Sequence, residues 1–200
     1  MVLGYHAIFG AYGFWLPNDP RGSWSDYVGL YELYRQHGPA TKTTTRQSVA
    51  HARHDRQARE AAKALLPRPA VAFDDVQIGA IARGFETSFV KGRVTVWECA
   101  IMPDHVHVVF GRHRCDAEYI VNCMKGSGTR ELLTAGIHPF QDESIGNKAP
   151  HCWAERQWIV YLDTVELIEN AIRYVAKNPE KAGLPRQHWP FVVPFDPRAV

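Results

Sequence analysis

The chain has 200 residues and a formal net charge of +2, with 46% hydrophobic and 22% charged residues. This length and composition suit one globular domain with a sizeable core, and the small charge excludes a nucleic-acid binder that relies on net charge alone. No apolar run approaches the about 18 residues that a membrane-spanning helix needs, so we expect no membrane partner.

The four cysteines, Cys99, Cys115, Cys123 and Cys152, show no CxxC spacing. The N-terminus leads directly into a strand-like run without a secretory signal. We therefore expect reduced thiols in a cytoplasmic protein, nucleoid-associated in a prokaryote. A zinc site built by His113 with the last three cysteines is disfavoured, because the spacings match no standard zinc-binding pattern.

The first half of the chain predicts one strand followed by two helical regions. Residues 5–12 form the strand, which runs into a loop rich in turn-forming residues, and residues 28–66 are polar and helix-like. The next helix is capped by Asp74 or Asp75 and ends at Gly92. Its apolar stripe consists of Ile78, Ile81, Phe85 and Phe89.

The second half predicts a hairpin, a helix, a strand and a closing helix. Two β-rich segments, 94–101 and 105–110, are joined by a three-residue turn, which indicates a hairpin. The remaining predicted elements are a helix at 116–135 that weakens at 126–128, a loop at 136–152, a strand at 158–162, a helix at 164–178 that Pro179 ends, and a C-terminal tail at 188–200 that packs as an extended coat.

Without the segment at 28–66, the elements follow the order β-α-β-β-α-β and then a terminal helix. This order predicts an α+β fold of the ferredoxin-like type, in which an antiparallel sheet carries helices on one face. We therefore expect a single domain over residues 1–200, with a helical insertion at about 28–66.

A pair of histidines in the predicted strand at 105–110 is the most informative short motif. Because side chains alternate along a strand, His105 and His107 share one face with Val109 and are expected to point toward open space or a ligand. Two imidazoles at this spacing can bind one cation, and Asp104 is a candidate partner for one ring, although its side chain starts on the opposite face. An exposed strand face with two chance histidines fits this short motif too. The other histidines are interpreted as structural.

The last predicted helix carries Tyr174 and Asn178, one turn apart at the edge of its apolar stripe. At such an edge the tyrosine stem can be packed while its hydroxyl reaches a substrate, and the asparagine oxygen can turn to a metal. Taken alone, this helix is better explained as an ordinary amphipathic helix with a tyrosine at the core margin and an asparagine near its end.

Together, these motifs resemble those of the HUH-type single-tyrosine transposases, and most closely the REP-associated tyrosine transposase branch. The resemblance rests on residues 102–109, MPDHVHVV, and on residues 174–184, YVAKNPEKAGL. The loop at 15–23, WLPNDPRGS, is also similar to the opening segment of this group. The segment at 28–66 has no place on the minimal core of the family.

The resemblance implies that His105, His107 and Asn178 hold a divalent metal ion, Mg²⁺ or Mn²⁺, and that Tyr174 is the nucleophile on a catalytic helix. Such enzymes cut single-stranded DNA through a 5′-phosphotyrosine intermediate and free a 3′-hydroxyl that can later rejoin the strand. Imidazole ligands favour manganese over magnesium. The implied partner is single-stranded or hairpin DNA, and a homodimer stays open.

DNA contacts are expected from several basic and aromatic side chains. Arg21 and Trp15 in the first loop are candidates to hold a phosphate and stack a base, and Lys125, Arg130 and Arg156 are further phosphate candidates. Solvated surface charges and a core tryptophan explain each of these residues equally well.

Other functions remain open on the sequence. A DNA-binding protein of transposase descent that has lost cleavage would keep the same fold. An unrelated metallohydrolase would need more ligands than an HxH pair supplies. Replication initiators and relaxases share the implied chemistry but usually carry helicase domains or extra tyrosines.

Overall fold

The computed structural model describes residues 1–19, 22, 26–42, 54–145 and 148–199. The strands are β1 (Gly4–Ala11), β2 (Val96–Ile101), β3 (His105–Gly111) and β4 (Trp153–Leu162). The α-helices are α1 (Tyr31–His37), α2 (Arg56–Ala64), α3 (Asp75–Gly92), α4 (Ala117–Thr134), α5 (Val165–Ala176) and α6 (Asn178–Lys181), and short 3-10 turns cover Gln141–Glu143 and Pro197–Ala199.

The four strands form one antiparallel sheet in the order β2-β3-β1-β4. The three-residue turn at 102–104 allows only a hairpin connection between β2 and β3. The two helical crossovers place β1 in the centre of the sheet, between β3 and β4. This is the ferredoxin-like α+β arrangement, as the order of elements predicts.

One face of the sheet packs against α3 and α4. Phe9 of β1 and Phe110 of β3 are fully buried there with Phe85 of α3 and Met124 of α4. The start of α3 is fixed by a capping box in which the Asp74 carboxylate accepts from the backbone N–H of the third helical residue. The predicted cap and apolar stripe of this helix are therefore confirmed.

The opposite face is covered by α5, so the expectation of helices on one face only is wrong. Val109 of β3 and Ile168 and Val175 of α5 are fully buried in a second apolar cluster. The alternation of β3 explains this second layer, because Val109 is an apolar side chain on the same face as the two histidines.

The predicted weakening of α4 at 126–128 is also wrong, since the helix runs without a break from Ala117 to Thr134. The glycines serve close packing instead. A Cβ on Gly84 of α3 would lie 2.6 Å from the carbonyl oxygen of Ser127 and 2.7 Å from the backbone nitrogen of Gly128. The backbones of α3 and α4 therefore touch where neither helix has a bulky side chain.

Two predicted boundaries differ from those observed. Strand β4 begins at Trp153 rather than at residue 158. Its pairing with β1 shifts register at the segment 154–156, which forms a bulge. The sequence of this bulge is too polar to be recognised as part of a strand. Helix α5 ends at Ala176, and Pro179 lies in the first turn of the separate helix α6 instead of ending α5. Proline is well tolerated in a first helical turn, where its missing N–H is not needed.

Within the predicted insertion, the structure describes two short helices, α1 and α2, while residues 43–53 lie outside the described part of the chain. Leu33 and Ala62 of the insertion pack with Leu16 in a small apolar cluster of their own.

The C-terminal tail runs along the outer edge of β2, where the backbone N–H of Val193 donates to the carbonyl of Val96. The tail therefore packs against the domain in an extended form, as predicted. No described helix has both the length and the apolar character to cross a membrane.

Candidate metal centre and catalytic tyrosine

His105 and His107 lie on the α5-covered face of β3, with ring centroids 4.9 Å apart. They are not equally accessible. The ring of His105 is partly exposed and stacks against Phe14, whereas His107 is 5% exposed beneath α5. Of the two surroundings expected for these rings, open space or a ligand, open space is excluded for His107, because the helix layer on this face covers it, and a ligand stays a prediction.

His105 is oriented by its sequence neighbour. Its Nδ1 atom lies 2.6 Å from Oδ1 of Asp104. A hydrogen on Nδ1 donates to the carboxylate, which leaves the Nε2 lone pair available as a ligand. Strand alternation alone would place these two side chains on opposite faces. Asp104 lies in the turn before β3 begins, so regular alternation does not apply to it and its carboxylate can reach the ring of His105.

His107 is oriented by His6, for which the sequence predicts only a structural role. The Nε2 atom of His6 on β1 lies 3.0 Å from Nδ1 of His107. Burial lowers the pKa of His6 to about 4. The pKa of His107 is held well below its usual value by burial and then by the neighbouring His105 and His6 rings. Both rings are therefore neutral near pH 7, the form in which imidazole binds a metal.

Tyr174 of α5 reaches this cluster of rings. Its ring centroid lies 5.6 Å from that of His107 and 6.0 Å from that of His6, and the residue is 39% exposed. The ammonium of Lys181 on α6 lies 5.0 Å from the centre of the tyrosine ring. The phenol is thus held between two buried imidazoles and a cation while remaining open to solvent, an arrangement that suits an anionic substrate.

Asn178 is the first residue of α6, just beyond the end of α5. Its Nδ2 atom is buried and has no hydrogen-bond partner in the described part of the chain. The two ends of an amide exchange by rotation about the last side-chain bond, so this side chain has one buried polar position that the protein leaves unused. Such a position fits a residue reserved for a ligand.

Within the described ranges, no three His, Cys, Asp or Glu side chains are arranged to hold one metal ion. The predicted metal site differs in composition, since it combines two imidazoles with the amide of Asn178. The four cysteines are free thiols, and burial raises the pKa of Cys152 to about 11.

The predicted DNA contacts are spread over the molecule. Trp15 is almost buried beside Phe14, and it lines one cleft together with the exposed Arg156. Arg130 is exposed on α4, and its guanidinium donates to Ser127. Arg21 lies outside the described residues.

Lys125 has a structural contact in place of the predicted phosphate contact. It is buried, and its Nζ lies 2.9 Å from the carbonyl oxygen of Ala154 and 3.4 Å from that of Arg156, both in the bulge of β4. The side chain thus supplies hydrogen bonds that β1 cannot provide where the strand register shifts.

The titration of Lys125 gives a testable pH dependence. Burial lowers its native pKa from 10.5 to about 8, so between these values the unfolded chain binds more protons than the native protein. We compare the free energy of unfolding of the protein with that of its Lys125→Met variant. The difference between the two should therefore rise by up to about 1.4 kcal/mol per pH unit from pH 8 to 10.5. Urea denaturation of both proteins over a pH series measures this difference, and a constant difference would contradict it.

No known protein-family profile matches the chain, and no curated protein matches it in sequence. Among solved structures, the chain is similar to a REP-associated tyrosine transposase bound to a REP hairpin, with a TM-score of 0.47 and 11% identity, over 94% of this chain and 74% of that chain. It is also similar to a protein from Deinococcus radiodurans described as a candidate transposase, with a TM-score of 0.41 and 12% identity, over 88% of this chain and 89% of that chain. Both of these solved structures are of proteins named as transposases.

Proposed function

We propose that the protein is a metal-dependent single-stranded DNA endonuclease and strand transferase that acts through a 5′-phosphotyrosine intermediate on Tyr174. The observation that carries this proposal is the distance of 5.6 Å between the rings of Tyr174 and His107, which come from elements more than sixty residues apart in the chain. A nucleophile beside imidazoles that can hold a divalent cation is an arrangement suited to metal-assisted phosphoryl transfer.

The residues present fit a divalent ion. His105 and His107 each use Nδ1 in a contact within the protein, which leaves both Nε2 atoms for a cation. Asn178 has a buried amide position without a partner. When bound, Mg²⁺ or Mn²⁺ offsets the negative charge on the nonbridging oxygens of the scissile phosphate. Two imidazoles and an amide oxygen would leave further coordination positions for phosphate and water.

The chemistry is a transesterification that requires no nucleotide cofactor. Oη of Tyr174 attacks the scissile phosphorus, the new O–P bond forms as the bond to the 3′-oxygen breaks, and the phenolic proton is replaced by the phosphoryl group while the leaving oxygen becomes a 3′-hydroxyl. Attack of a 3′-hydroxyl on the phosphotyrosine reverses these changes and restores a continuous strand. Lys181, 5.0 Å from the tyrosine ring, supplies positive charge where the phosphate is expected to bind.

Single-stranded or hairpin DNA is the proposed substrate. Exposed cations support it on both sides of the site, with Lys181 beside Tyr174 and Arg156 on the neighbouring cleft. These contacts act on phosphates and specify no DNA sequence.

Tyr174→Phe is expected to form no covalent adduct with DNA, because phenylalanine keeps the ring packing but lacks the attacking oxygen. The measurement incubates the protein with labelled single-stranded hairpin DNA and Mn²⁺ and detects the protein–DNA adduct on a denaturing gel. We expect at least about a 1,000-fold loss of adduct, as for removal of a nucleophile from other enzymes.

Tyr161→Phe is the matched control, since Tyr161 is similarly exposed on β4 and should form adduct at the unchanged rate. Adduct formation by Tyr174→Phe would refute the assignment, and Tyr119 would then be tested next. DNA binding by the unsubstituted protein without metal-dependent cleavage would select the alternative, a binding protein of transposase descent.

A further inference from the structure

A largely apolar cleft of about 430 Å³ is lined in part by Phe14, whose ring stacks on that of His105. We name it the aromatic pocket. Its aromatic walls come from Tyr12, Phe14, Trp15, Tyr27 and Trp153. Its volume falls within the range of about 300–1,000 Å³ that small-molecule sites occupy. Of the described cavities, this one combines several aromatic walls with charged groups at the rim.

Three segments of the chain build the aromatic pocket. The end of β1 and the loop after it supply residues 12–16, the bulged start of β4 and the residues before it supply 150–151 and 153–156, and the insertion with the residues that flank it supplies 27–30, Leu33 and 66–68. The insertion is held in place by the small cluster of Leu16, Leu33 and Ala62. The part of the chain that the family's minimal core lacks therefore forms one wall of a cavity at the candidate site.

The aromatic pocket adjoins the metal centre through one shared ring. Phe14 stacks on His105 with centroids 5.1 Å apart and an interplanar angle of 28°, and the ring of Trp15 packs edge-on with Phe14 at a centroid distance of 5.2 Å. A group bound in the aromatic pocket therefore lies about one ring away from a proposed metal ligand. This is the neighbourhood in which a nucleotide next to the scissile phosphate would extend.

The rim of the aromatic pocket carries groups that suit a nucleotide. Tyr27 is 45% exposed, and the guanidinium of Arg156 lies 4.9 Å from the centre of its ring. The hydroxyl of Tyr27 also donates to Glu155. An exposed aromatic face and a cation for a phosphate are elements of single-strand recognition. The carboxylate adds a hydrogen-bond acceptor for a base edge.

We propose that the aromatic pocket binds one unstacked nucleobase of the DNA strand, adjacent to the phosphate that Tyr174 attacks. This inference rests on the proposed function for the position of the base along the strand. Glu155 favours a base with N–H donors, and guanine offers two adjacent donors to one carboxylate. Tyr27 and Glu155 thereby select which nucleotide sits beside the cut.

The test measures binding of free nucleotides by saturation-transfer NMR, with dGMP, dAMP, dCMP and dTMP as probes and 2-deoxyribose 5-phosphate as a probe without a base. The protein carries Tyr174→Phe and is kept free of divalent metal, so binding is separated from cleavage. We expect dGMP to bind most tightly and the sugar phosphate to bind at least about 10-fold more weakly. Equal affinity for dGMP and the sugar phosphate would overturn the proposal.

Tyr27→Ala should weaken dGMP binding by about 10-fold through loss of a stacking face, and Tyr27→Phe should retain most of the affinity. Tyr31→Ala is the matched control, because Tyr31 is an exposed tyrosine on α1 that does not line the aromatic pocket. Equal effects of Tyr27→Ala and Tyr31→Ala would overturn the proposal. Glu155→Gln should reduce the preference for dGMP over dAMP, and an unchanged preference would remove Glu155 from base recognition.

These outcomes are independent of the adduct assay. Adduct formation without base-dependent nucleotide binding would refute the aromatic pocket as a base site and leave the proposed function standing. Base-dependent binding without adduct formation would refute the proposed function, and with it the position of the base beside a cut.

Discussion

His105→Ala is expected to abolish metal-dependent DNA cleavage, with a loss of at least about 1,000-fold that added Mn²⁺ does not restore. The substitution removes one of only two imidazoles proposed to hold the cation, and alanine offers no donor in its place. His105 is partly exposed, so its removal should leave the core intact. Cleavage rates over a Mn²⁺ titration, with melting temperature as a check on folding, provide the measurement.

His6→Phe should behave differently in the same titration. Phenylalanine fills the buried space of the His6 ring but removes the hydrogen-bond partner of Nδ1 of His107 at 3.0 Å. Loss of such an outer partner typically weakens metal affinity by about 10–100-fold, so cleavage should recover at high Mn²⁺. His6 is a positioning residue in this scheme, and the shift of the metal midpoint distinguishes that role from a merely structural one.

His188→Ala serves as the control for both variants, since His188 is exposed on the C-terminal tail. Full cleavage by His105→Ala would exclude the proposed metal centre. A His6→Phe protein that is folded and has an unchanged Mn²⁺ midpoint would show that His107 needs no partner to bind the metal.

The sequence alone predicts much of this site because its signals are local. The alternation of a strand puts His105 and His107 on one face, and the edge of an amphipathic stripe leaves Tyr174 half-exposed. The order of elements is enough to place the two motifs in one ferredoxin-like domain. The family resemblance adds the proposed roles of these residues, which neither short motif carries by itself.

The missed features depend on contacts between segments distant in the chain. His6 and His107 meet because Ile8 pairs with His107 across β1 and β3, a register that only the folded sheet defines. Lys125 was predicted at the surface because a lysine on a helix usually lies there, yet it is buried against the bulge of β4. The helix over 28–66 was predicted from composition, and its contribution to the aromatic pocket depends on packing against Leu16.

The boundary at Asn178 shows how proline can be misinterpreted from sequence. A proline was expected to end the last helix, since the residue before it resists the α conformation. In the structure α5 has already ended, and Pro179 lies in the first turn of α6, one residue after its start at Asn178. Tyr174 and Asn178 lie on different helices, so the direction of the Asn178 side chain does not follow from the residue spacing within one helix. Its buried amide nitrogen has no hydrogen-bond partner in the described part of the chain.

Gly84→Ala is expected to lower the free energy of unfolding by about 2–3 kcal/mol, against the gain that alanine normally brings to a helix. The added Cβ would lie 2.6 Å from the carbonyl oxygen of Ser127 and 2.7 Å from the nitrogen of Gly128, and backbone atoms inside α4 cannot move aside as a flexible side chain can. The two helices must separate, which loosens the apolar layer on that face of the sheet.

Gly126→Ala provides the matched control on α4, because a Cβ at Gly126 meets nothing within 4 Å. There alanine should raise the free energy of unfolding by about 0.5–1 kcal/mol, since it reduces the conformational freedom of the unfolded chain. Urea denaturation of the two variants should therefore give shifts of opposite sign. Equal stabilisation by both substitutions would mean that α3 and α4 lie farther apart than the observed contact, and that the glycines serve flexibility rather than close approach.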